Sequence, residues 1–124
     1  MIYLDTHVVV WLYAGKIKKL SEQARELIND HEIIISPVVR LELQYLFEIQ
    51  RVTDEANEIV ADLSGRIGLK MCDKSFDTIV NGALDLPWTR DPFDRIIVAN
   101  AAINHNILLT KDQNILENYE KAIW

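Results

Sequence analysis

Five acidic side chains are the groups in this sequence that could most readily act together in chemistry: Asp5, Glu42, Asp91, Asp94 and Asp112. Two of them stand in TRDPFDRIIVANA, residues 89–101, directly before an apolar run. Helix capping explains this pair without any function, because Asp91 suits the N-cap position and Asp94 faces the positive end of the helix dipole. Carboxylates gathered in one place could instead hold a divalent metal ion. The choice depends on the elements that position the acids.

The apolar pattern predicts short strands that alternate with helices. Continuous apolar runs typical of strands covered on both faces occur at residues 1–5, 33–36 and 107–110. Helical spacing occurs between these runs, at residues 21–29, 38–49, 53–63 and 74–84, and again from Asp91 onward. Strands separated by helices of this length predict an α/β fold with a mainly parallel sheet and helices on both sides.

Most of the acids are predicted to meet at one edge of that sheet. Asp5 and Asp112 each follow a predicted strand, and Asp94 falls in the first turn of a helix. Parallel α/β folds bind ligands beyond the carboxyl ends of their strands, so these positions are suited to a site. Carboxylates gathered there would raise one another's pKa values unless cations lay between them. A ligand set made of carboxylate oxygens predicts magnesium or manganese rather than zinc.

Glu42 interrupts a mostly apolar helical segment, VVRLELQYL. Four residues are spaced to form one apolar face of that helix: Val38, Leu41, Tyr45 and Ile49. Burying an ionised carboxylate in such a setting is costly unless something compensates for its lost hydration. Arg40 or a metal ion could supply that compensation, and a surface position for Glu42 would remove the need for it.

Several polar neighbours of the acids have two possible roles. The hydroxyls of Thr6 and Thr110 could orient a ligand or a metal-bound water, or could serve in the core or as helix caps. Arg90, Arg95 and Lys111 could contact the phosphates of a substrate, or could pair with neighbouring aspartates. The histidines lack the spacing of a zinc site and are predicted to be structural or surface groups: His7, His31 and His105.

Length and composition predict one domain, residues 1–124, because 49% hydrophobic content is ample for a core at this size. The formal charge of -6 argues against a protein that holds nucleic acid by bulk electrostatics, although acids that hold cations are compatible with a nuclease. The single cysteine, Cys72, is predicted to be a small buried hydrophobe. The chain starts without a basic segment ahead of an apolar one, and no run could span a bilayer, so we expect a cytoplasmic protein with no membrane contact.

Carboxylates that hold hard divalent ions are suited to phosphodiester hydrolysis, which needs no covalent enzyme intermediate. The sequence contains neither a G-x-S-x-G nucleophile motif nor a Walker-type phosphate loop. An aspartate-based phosphotransfer domain also has acids at strand ends, but His7 stands where such a phosphatase carries its second Asp, two positions after Asp5. The other alternative is a binding module without catalysis, in which the acids only cap helices and turns.

Four segments follow one another along nearly the whole chain: YLDTHVVVW, SPVVRLELQYL, WTRDPFDRIIVANA and LLTKDQNILENYEKAIW. Together they resemble the PIN-domain ribonucleases, and among these the VapC-like toxins of type II toxin-antitoxin pairs. The resemblance implies a three-layer α/β/α sandwich and an endoribonuclease that depends on Mg²⁺ or Mn²⁺. It assigns the catalytic and metal-binding roles to four acids, with Asp91 as an additional acid at the rim: Asp5, Glu42, Asp94 and Asp112.

The same resemblance implies partners. It suggests a homodimer and a cognate antitoxin whose tail covers or enters the pocket, with RNA as the substrate. A catalytically silent PIN-like binding module would share the fold and the partners without the metal chemistry. Residues 52–87 carry no recognisable site, and dimer contacts or substrate choice could differ there.

Overall fold

The computed structural model describes residues 1–124 and contains one sheet of five short strands. The strands are β1 Ile2–Leu4, β2 Ile33–Ile35, β3 Lys70–Met71, β4 Ile107–Leu109 and β5 Ala122–Ile123. Their spatial order is β3-β2-β1-β4-β5, and every neighbouring pair is parallel. In the register of the sheet, Ile2 lies opposite Ile33 on one side and Ile107 on the other. Strand β1 is therefore central, which puts the residue that follows it between the two halves of the sheet.

Helices connect the strands and complete a three-layer α/β/α arrangement. They are α1 Thr6–Tyr13, α2 Glu22–Asp30, α3 Pro37–Glu48, α4 Ala56–Ile67, α5 Phe76–Ala83, α6 Pro92–Ala102 and α7 Gln113–Asn118, with a 3₁₀ turn at Ile17–Lys19. The α/β fold with a parallel sheet is confirmed, and so is the sandwich that the resemblance implies. No helix combines the length and apolar content that a membrane crossing requires.

The sheet lies at the centre of the main core, which contains 23 buried residues. All of β1 is fully buried, as are Ile35 of β2 and Leu108 and Leu109 of β4. Continuous apolar runs are expected where helices cover both faces of a parallel strand. Because burial contributes roughly 25 cal/mol per Å² of apolar surface, this core holds the strand ends in fixed relative positions. Cys72 is buried within it, as predicted.

The elements differ from the predicted ones mainly at their ends. The segment predicted at residues 53–63 begins and ends later, as α4, and stops at Gly68, whose φ of 71° suits a helix terminus. The segment predicted at residues 74–84 is shorter, as α5, because the Ser75 hydroxyl caps its first turn. Strands β3 and β5 and helix α7 lie outside the predictions, since they are too short to show a period.

The apolar face noted on α3 does not pack into the core. Leu41 is 61% exposed, Tyr45 48% and Ile49 43%, whereas Val39 and Leu43 are fully buried. Helix α3 carries apolar residues on more than one side, so a period of 3.6 residues could not tell which side packs against the sheet. The row that contains Val39 and Leu43 does so, and the row that contains Leu41 and Tyr45 lies on the surface.

Candidate active site

A cleft of about 330 Å³ opens at the edge of the sheet, where β1 and β4 end. Its lining includes all five acids that stand out in the sequence: Asp5, Glu42, Asp91, Asp94 and Asp112. The other residues of the lining are His7, Val8, Trp11 and Lys111. The folded chain therefore brings together the acids that were expected to meet at this edge.

Asp5 is the most deeply buried of these acids, with 8% of its surface exposed. One carboxylate oxygen accepts a hydrogen bond from the backbone N–H of Thr6 at 2.8 Å, which caps α1. The other accepts a hydrogen bond from the hydroxyl of Thr110 at 2.6 Å. Burial raises the pKa of Asp5, and these two hydrogen bonds oppose that rise. Asp5 is thus both a helix cap and a fixed wall of the cleft.

Glu42 reaches the cleft from α3 and is held by the hydroxyl of Thr6, which donates to its carboxylate. Burial raises the pKa of Glu42, the hydrogen bond from Thr6 opposes the rise, and repulsion from Asp5 adds to it. Of the two possible compensating groups, Arg40 or a metal ion, Arg40 is not in place, because it is exposed and lines a different pocket, with Glu55. A buried hydroxyl takes the place that the sequence suggested for a cation.

The two aspartates of α6 have different surroundings. Asp91 is exposed and caps the helix, since its side chain accepts hydrogen bonds from the N–H groups of Phe93 at 2.9 Å and Asp94 at 3.4 Å. Asp94 is half-buried, and its carboxylate accepts no hydrogen bond from the protein. Burial, followed by repulsion from Asp91 and Asp5, raises the pKa of Asp94 to about 7. Capping therefore explains Asp91 and leaves Asp94 without a structural partner.

Thr110 links the last acid to the first. Its hydroxyl donates to Asp5 and accepts a hydrogen bond from the backbone N–H of Asp112 at 3.0 Å. The Asp112 side chain caps α7 by accepting a hydrogen bond from the N–H of Ile115 at 3.0 Å. Thr6 and Thr110 are both fully buried. Both threonines thus lie in the core, and their hydroxyls bind the acids themselves, which neither of the two roles considered from the sequence had described.

The cations near these acids do not neutralise the cleft. The chain has two ion pairs, Arg66 with Asp62 and Lys70 with Glu32, and neither involves an acid of the cleft. Arg95, predicted as a supporting residue with either a substrate contact or a structural role, points away from the acids: its guanidinium donates to the carbonyl of Ala83 at 3.2 and 2.9 Å, at the end of α5. The same carbonyl also accepts a hydrogen bond from the backbone N–H of Leu86 at 3.2 Å, and a carbonyl oxygen has two lone pairs. Arg95 therefore holds α6 to the end of α5 and forms no ion pair with Asp94.

Arg90 and Lys111 also leave the acids unpaired. Arg90 is exposed and lies outside the lining of the cleft. Lys111 lines the cleft and lies over the ring of Trp11, 6.0 Å from its centroid. Of the three predicted cations, Lys111 alone stands where it could meet a ligand of this cleft.

His7 and Trp11 line the cleft but were not expected to. The surface position predicted for His7 is correct, since its side chain is exposed, yet that surface belongs to the cleft. Trp11 is half-buried, and its ring lies 6.2 Å from the ring of His7. The two residues are four apart on α1, which Asp5 caps, so helical spacing after Asp5 is the signal that could have found them.

The donor set of the cleft suits a hard divalent cation in kind. All of its acidic side chains are carboxylates, and the half-buried one without a hydrogen-bond partner, Asp94, is repelled by each of the other four. No group of three His, Cys, Asp or Glu side chains is already arranged to hold an ion. The residues therefore fit such an ion by chemistry and charge, and not as a preformed cage.

Comparison with solved structures gives neighbours that cover nearly all of the chain. VapBC2 from Rickettsia felis, bound to a DNA fragment from their promoter, matches with a TM-score of 0.68 and 20% identity, covering 99% of this chain and 96% of that chain. A toxin-antitoxin complex from Klebsiella pneumoniae has a TM-score of 0.71 and 16% identity, with 100% and 97% covered. VapBC-1 from nontypeable Haemophilus influenzae has a TM-score of 0.59 and 18% identity, with 94% of each chain covered. At these identities the likeness is one of fold.

The sequence itself gives the assignment to a family. Curated protein sequences contain no match to this chain. The family model described as PIN domain, in contrast, matches residues 2–121, which is almost the whole chain. The chain therefore belongs to the PIN domain family.

Proposed function

We propose that this PIN domain is a metal-dependent endoribonuclease that hydrolyses RNA phosphodiester bonds in the acidic cleft. The observation that carries the proposal is the meeting of four acids from separate segments in one cleft: Asp5, Glu42, Asp94 and Asp112. A chain that needed these acids only as caps would not need to bring them together, because repulsion among them disfavours the charged forms.

These acids are the residues that would hold Mg²⁺ or Mn²⁺, with Asp91 at the rim. When bound, such an ion would stabilise the negative charge on a phosphoryl oxygen. It would also lower the pKa of a water molecule, so that this water can lose a proton at neutral pH. Magnesium commonly binds through one or two carboxylates and keeps several waters, so three preformed protein ligands are not required. Asp94 is available for this because its carboxylate has no internal partner, and Asp112 uses only one carboxylate oxygen to cap α7.

The remaining residues of the cleft would set the geometry of the acids. Thr6 keeps Glu42, and Thr110 keeps Asp5, from rotating away from the cleft. Lys111 stands directly before Asp112 and would attract a phosphate of the substrate to the edge of the acid cluster. Both threonines are fully buried and therefore orient the acids without contacting substrate themselves.

We further propose that the nuclease is a VapC-like toxin of the cytoplasm, neutralised by a cognate antitoxin. The structural neighbours support this, since two were solved as VapBC and one as a toxin-antitoxin complex. The cleft supports it as well, because five acids without an ion pair would attract a basic segment of a partner. Co-expression with candidate antitoxins, scored by relief of growth arrest and by co-purification, tests this part.

A homodimer is proposed from the surface shared by α3, α5 and α6. We call this the apolar surface; it contains Leu41, Tyr45, Phe76 and Phe93, and a groove beside it is lined by Val38, Ile79 and Ile96. Phe76 is 69% exposed and Leu41 61%, although contiguous apolar patches are uncommon on monomers unless they bind something. A second copy of the chain, related by two-fold symmetry, would bury this surface on both protomers.

Cleavage of RNA by purified protein tests the nuclease directly. Wild type, Asp5→Asn, Asp94→Asn and the control Asp85→Asn are incubated with RNA in Mg²⁺ or Mn²⁺. Asp85 is exposed and lies outside the cleft, so its variant tests the loss of a surface charge alone. We expect cleavage by wild type and Asp85→Asn, and none by Asp5→Asn or Asp94→Asn while their folds are intact by circular dichroism. Equal cleavage by all four proteins would reject the proposed site.

A catalytically silent binding module is the rival that a specific observation favours, namely the lack of three side chains already arranged around an ion. Calorimetry with Mn²⁺ separates the two functions. The nuclease predicts binding to wild type that Asp94→Asn weakens and Asp85→Asn leaves unchanged. A silent module predicts no binding that depends on these carboxylates, together with intact binding of the partner.

A further inference from the structure

Trp11 occupies a position that the proposed acid chemistry does not use. It lies near the end of α1, the helix that Asp5 caps, and it lines the cleft together with the acids. Six residues of helix separate the two, a rise of roughly 9 Å. Trp11 is therefore held at a fixed, short distance from the deepest acid of the site.

The ring of Trp11 packs against another aromatic ring and lies close to two lysine ammonium groups. The ring of Trp124 lies 5.6 Å from it at an angle of 60°, which packs the indole against the C-terminal strand region. The ammonium groups of Lys19 and Lys111 lie over the ring, 5.8 and 6.0 Å from its centroid. Both lysines are exposed and carry no ion pair, so each can turn toward an anion without breaking one.

A chain of net charge -6 must attract RNA by local features, because its overall field repels phosphates. An aromatic ring beside cations is the combination that single-stranded nucleic acid requires: bases stack on the ring, and cations contact the backbone. The cleft offers this combination at Trp11 and Lys111, in the same lining as the acids that would hold the metal ion, and Lys19 reaches the ring from outside that lining.

From this juxtaposition we infer that Trp11 is a stacking platform for one base of a single-stranded RNA, with Lys19 and Lys111 contacting the phosphates next to that base. The inference rests on the proposed nuclease for its placement of the cut beside the platform. The stacked base is then a near neighbour of the cleaved bond, which makes Trp11 a residue that sets where the strand is cut. Stacking accepts every base, so the platform selects an unpaired base rather than a sequence.

A structural role for Trp11 gives a different result from stacking, and the two can be separated. If the indole only covers the core together with Trp124, its loss lowers stability and weakens RNA binding equally for every RNA. If it stacks on a base, its effect is confined to one nucleotide of the strand. The experiment therefore removes bases as well as the ring.

Binding of a labelled short single-stranded RNA is measured by fluorescence anisotropy in Mg²⁺, with a set of RNAs that lack one base each at successive positions. Asp94→Asn serves as the uncleaving background for every variant, and Trp11→Leu and Trp11→Phe are compared in it. We expect removal of one base to weaken binding to the Trp11 protein roughly ten-fold or more. We expect Trp11→Leu to bind all RNAs with that weakened affinity, so that the effects of removing the base and removing the ring on binding are not additive.

Two further variants keep the outcome decisive. Trp11→Phe keeps a ring and is expected to retain the dependence on that one base, even if thermal unfolding shows that Trp11→Leu is less stable. Lys111→Gln is expected to weaken binding to all RNAs. It is also expected to reduce the slope of log affinity against log salt concentration by about one. The matched control Trp88→Phe, whose residue lies outside the cleft, should change neither property.

Each result decides the inference separately from the nuclease. Base dependence that persists unchanged in Trp11→Leu overturns the platform, and so does a wild-type protein that binds no single-stranded RNA. If base dependence persists in Trp11→Leu and wild type still cleaves the same RNA, the platform is rejected and the proposed nuclease is retained. Base dependence that Trp11→Leu abolishes, together with a wild-type protein that cleaves no RNA in Mg²⁺ or Mn²⁺, supports the platform and rejects the nuclease.

Discussion

Helix α3 contributes to two surfaces on which residues lie contrary to the usual rule that charged side chains are exposed and apolar ones are buried. Toward the cleft, its Glu42 carboxylate is half-buried among other acids, while its neighbours Leu41 and Tyr45 are largely exposed on the apolar surface. An acid without a cation and an apolar side chain in water both raise the free energy of the isolated chain. Both surfaces would become favourable if something outside the chain completed them, and the proposed function supplies a cation and substrate at one and a second protein at the other.

The largest effect is expected at the apolar surface. Leu41→Glu combined with Tyr45→Glu places like charges opposite each other in a two-fold interface, which costs several kcal/mol of association free energy. Light scattering on a size-exclusion column should show a dimer for wild type and a monomer for the double variant. Ile17→Glu, at another exposed apolar residue, serves as the control and should remain dimeric. A wild-type monomer at micromolar concentration would reject the dimer.

The next effect concerns how the cleft is held. Thr110→Val removes the hydroxyl that donates to Asp5 and accepts from the N–H of Asp112. Loss of such an orienting partner typically lowers metal affinity or activity about 10- to 100-fold. Thr110→Ser keeps the hydroxyl and should recover most of the RNA cleavage, while Thr53→Val changes an exposed threonine and should have no effect. Unchanged Mn²⁺ affinity in Thr110→Val would show that Asp5 needs no orientation.

Arg95 tests whether a residue next to an acid of the cleft contributes to helix packing or to RNA cleavage. Arg95→Met removes the hydrogen bonds from its guanidinium to the carbonyl of Ala83. We expect a loss of about 1–2 kcal/mol in the free energy of unfolding by urea, because hydrogen bonds to charged groups contribute on this scale. RNA cleavage per folded molecule should not change. A selective loss of cleavage at full stability would return Arg95 to the site.

The smallest effect is a pH dependence of stability in metal-free buffer. The folded chain keeps a proton on Asp94 up to about pH 7, whereas its ordinary pKa is 3.8, so the free energy of unfolding falls as the pH rises between these values. Asp94→Asn removes this loss and should therefore be more stable than wild type above pH 7, with no difference below about pH 4. Solvent screening of a half-buried carboxylate limits the gain in the free energy of unfolding to about 1 kcal/mol. Thermal unfolding across this pH range measures it, and a gain that is independent of pH would contradict the assignment.

Much of the fold could be predicted from local sequence patterns, namely apolar runs and helix-start signals. The runs that became β1, β2 and β4 are continuous and apolar, and Asp91 with Pro92 marks the start of α6 at the expected residue. Patterns that depend on length failed, as for the two-residue strands β3 and β5. Patterns that fit two answers also failed, since α3 has more than one apolar side and its more regular face is the exposed one.

Three acids of the site, Asp5, Asp94 and Asp112, were predictable because they stand at strand ends or in the first turn of a helix, and the topology of a parallel sheet brings such positions together. Glu42 was noticed for a different reason, as an acid within a mostly apolar helical segment. Their surroundings were not predictable. Thr6 rather than Arg40 compensates Glu42, and Arg95 turns away from the acid beside it, because side-chain direction depends on contacts between α1, α3, α5 and α6. Trp11 and His7 likewise entered the cleft through the placement of α1.

The sequence by itself determined the alternation of strands and helices, the acids at their junctions and membership of the PIN domain family, because each follows from residue types and their order along the chain. The tertiary structure alone decided which acids are held by hydroxyls, which one has no partner, and which face of α3 remains in solvent. The physical reason is that burial and hydrogen bonding depend on neighbours far apart in sequence, such as Thr110 and Asp5, which only the packed sheet brings within bonding distance.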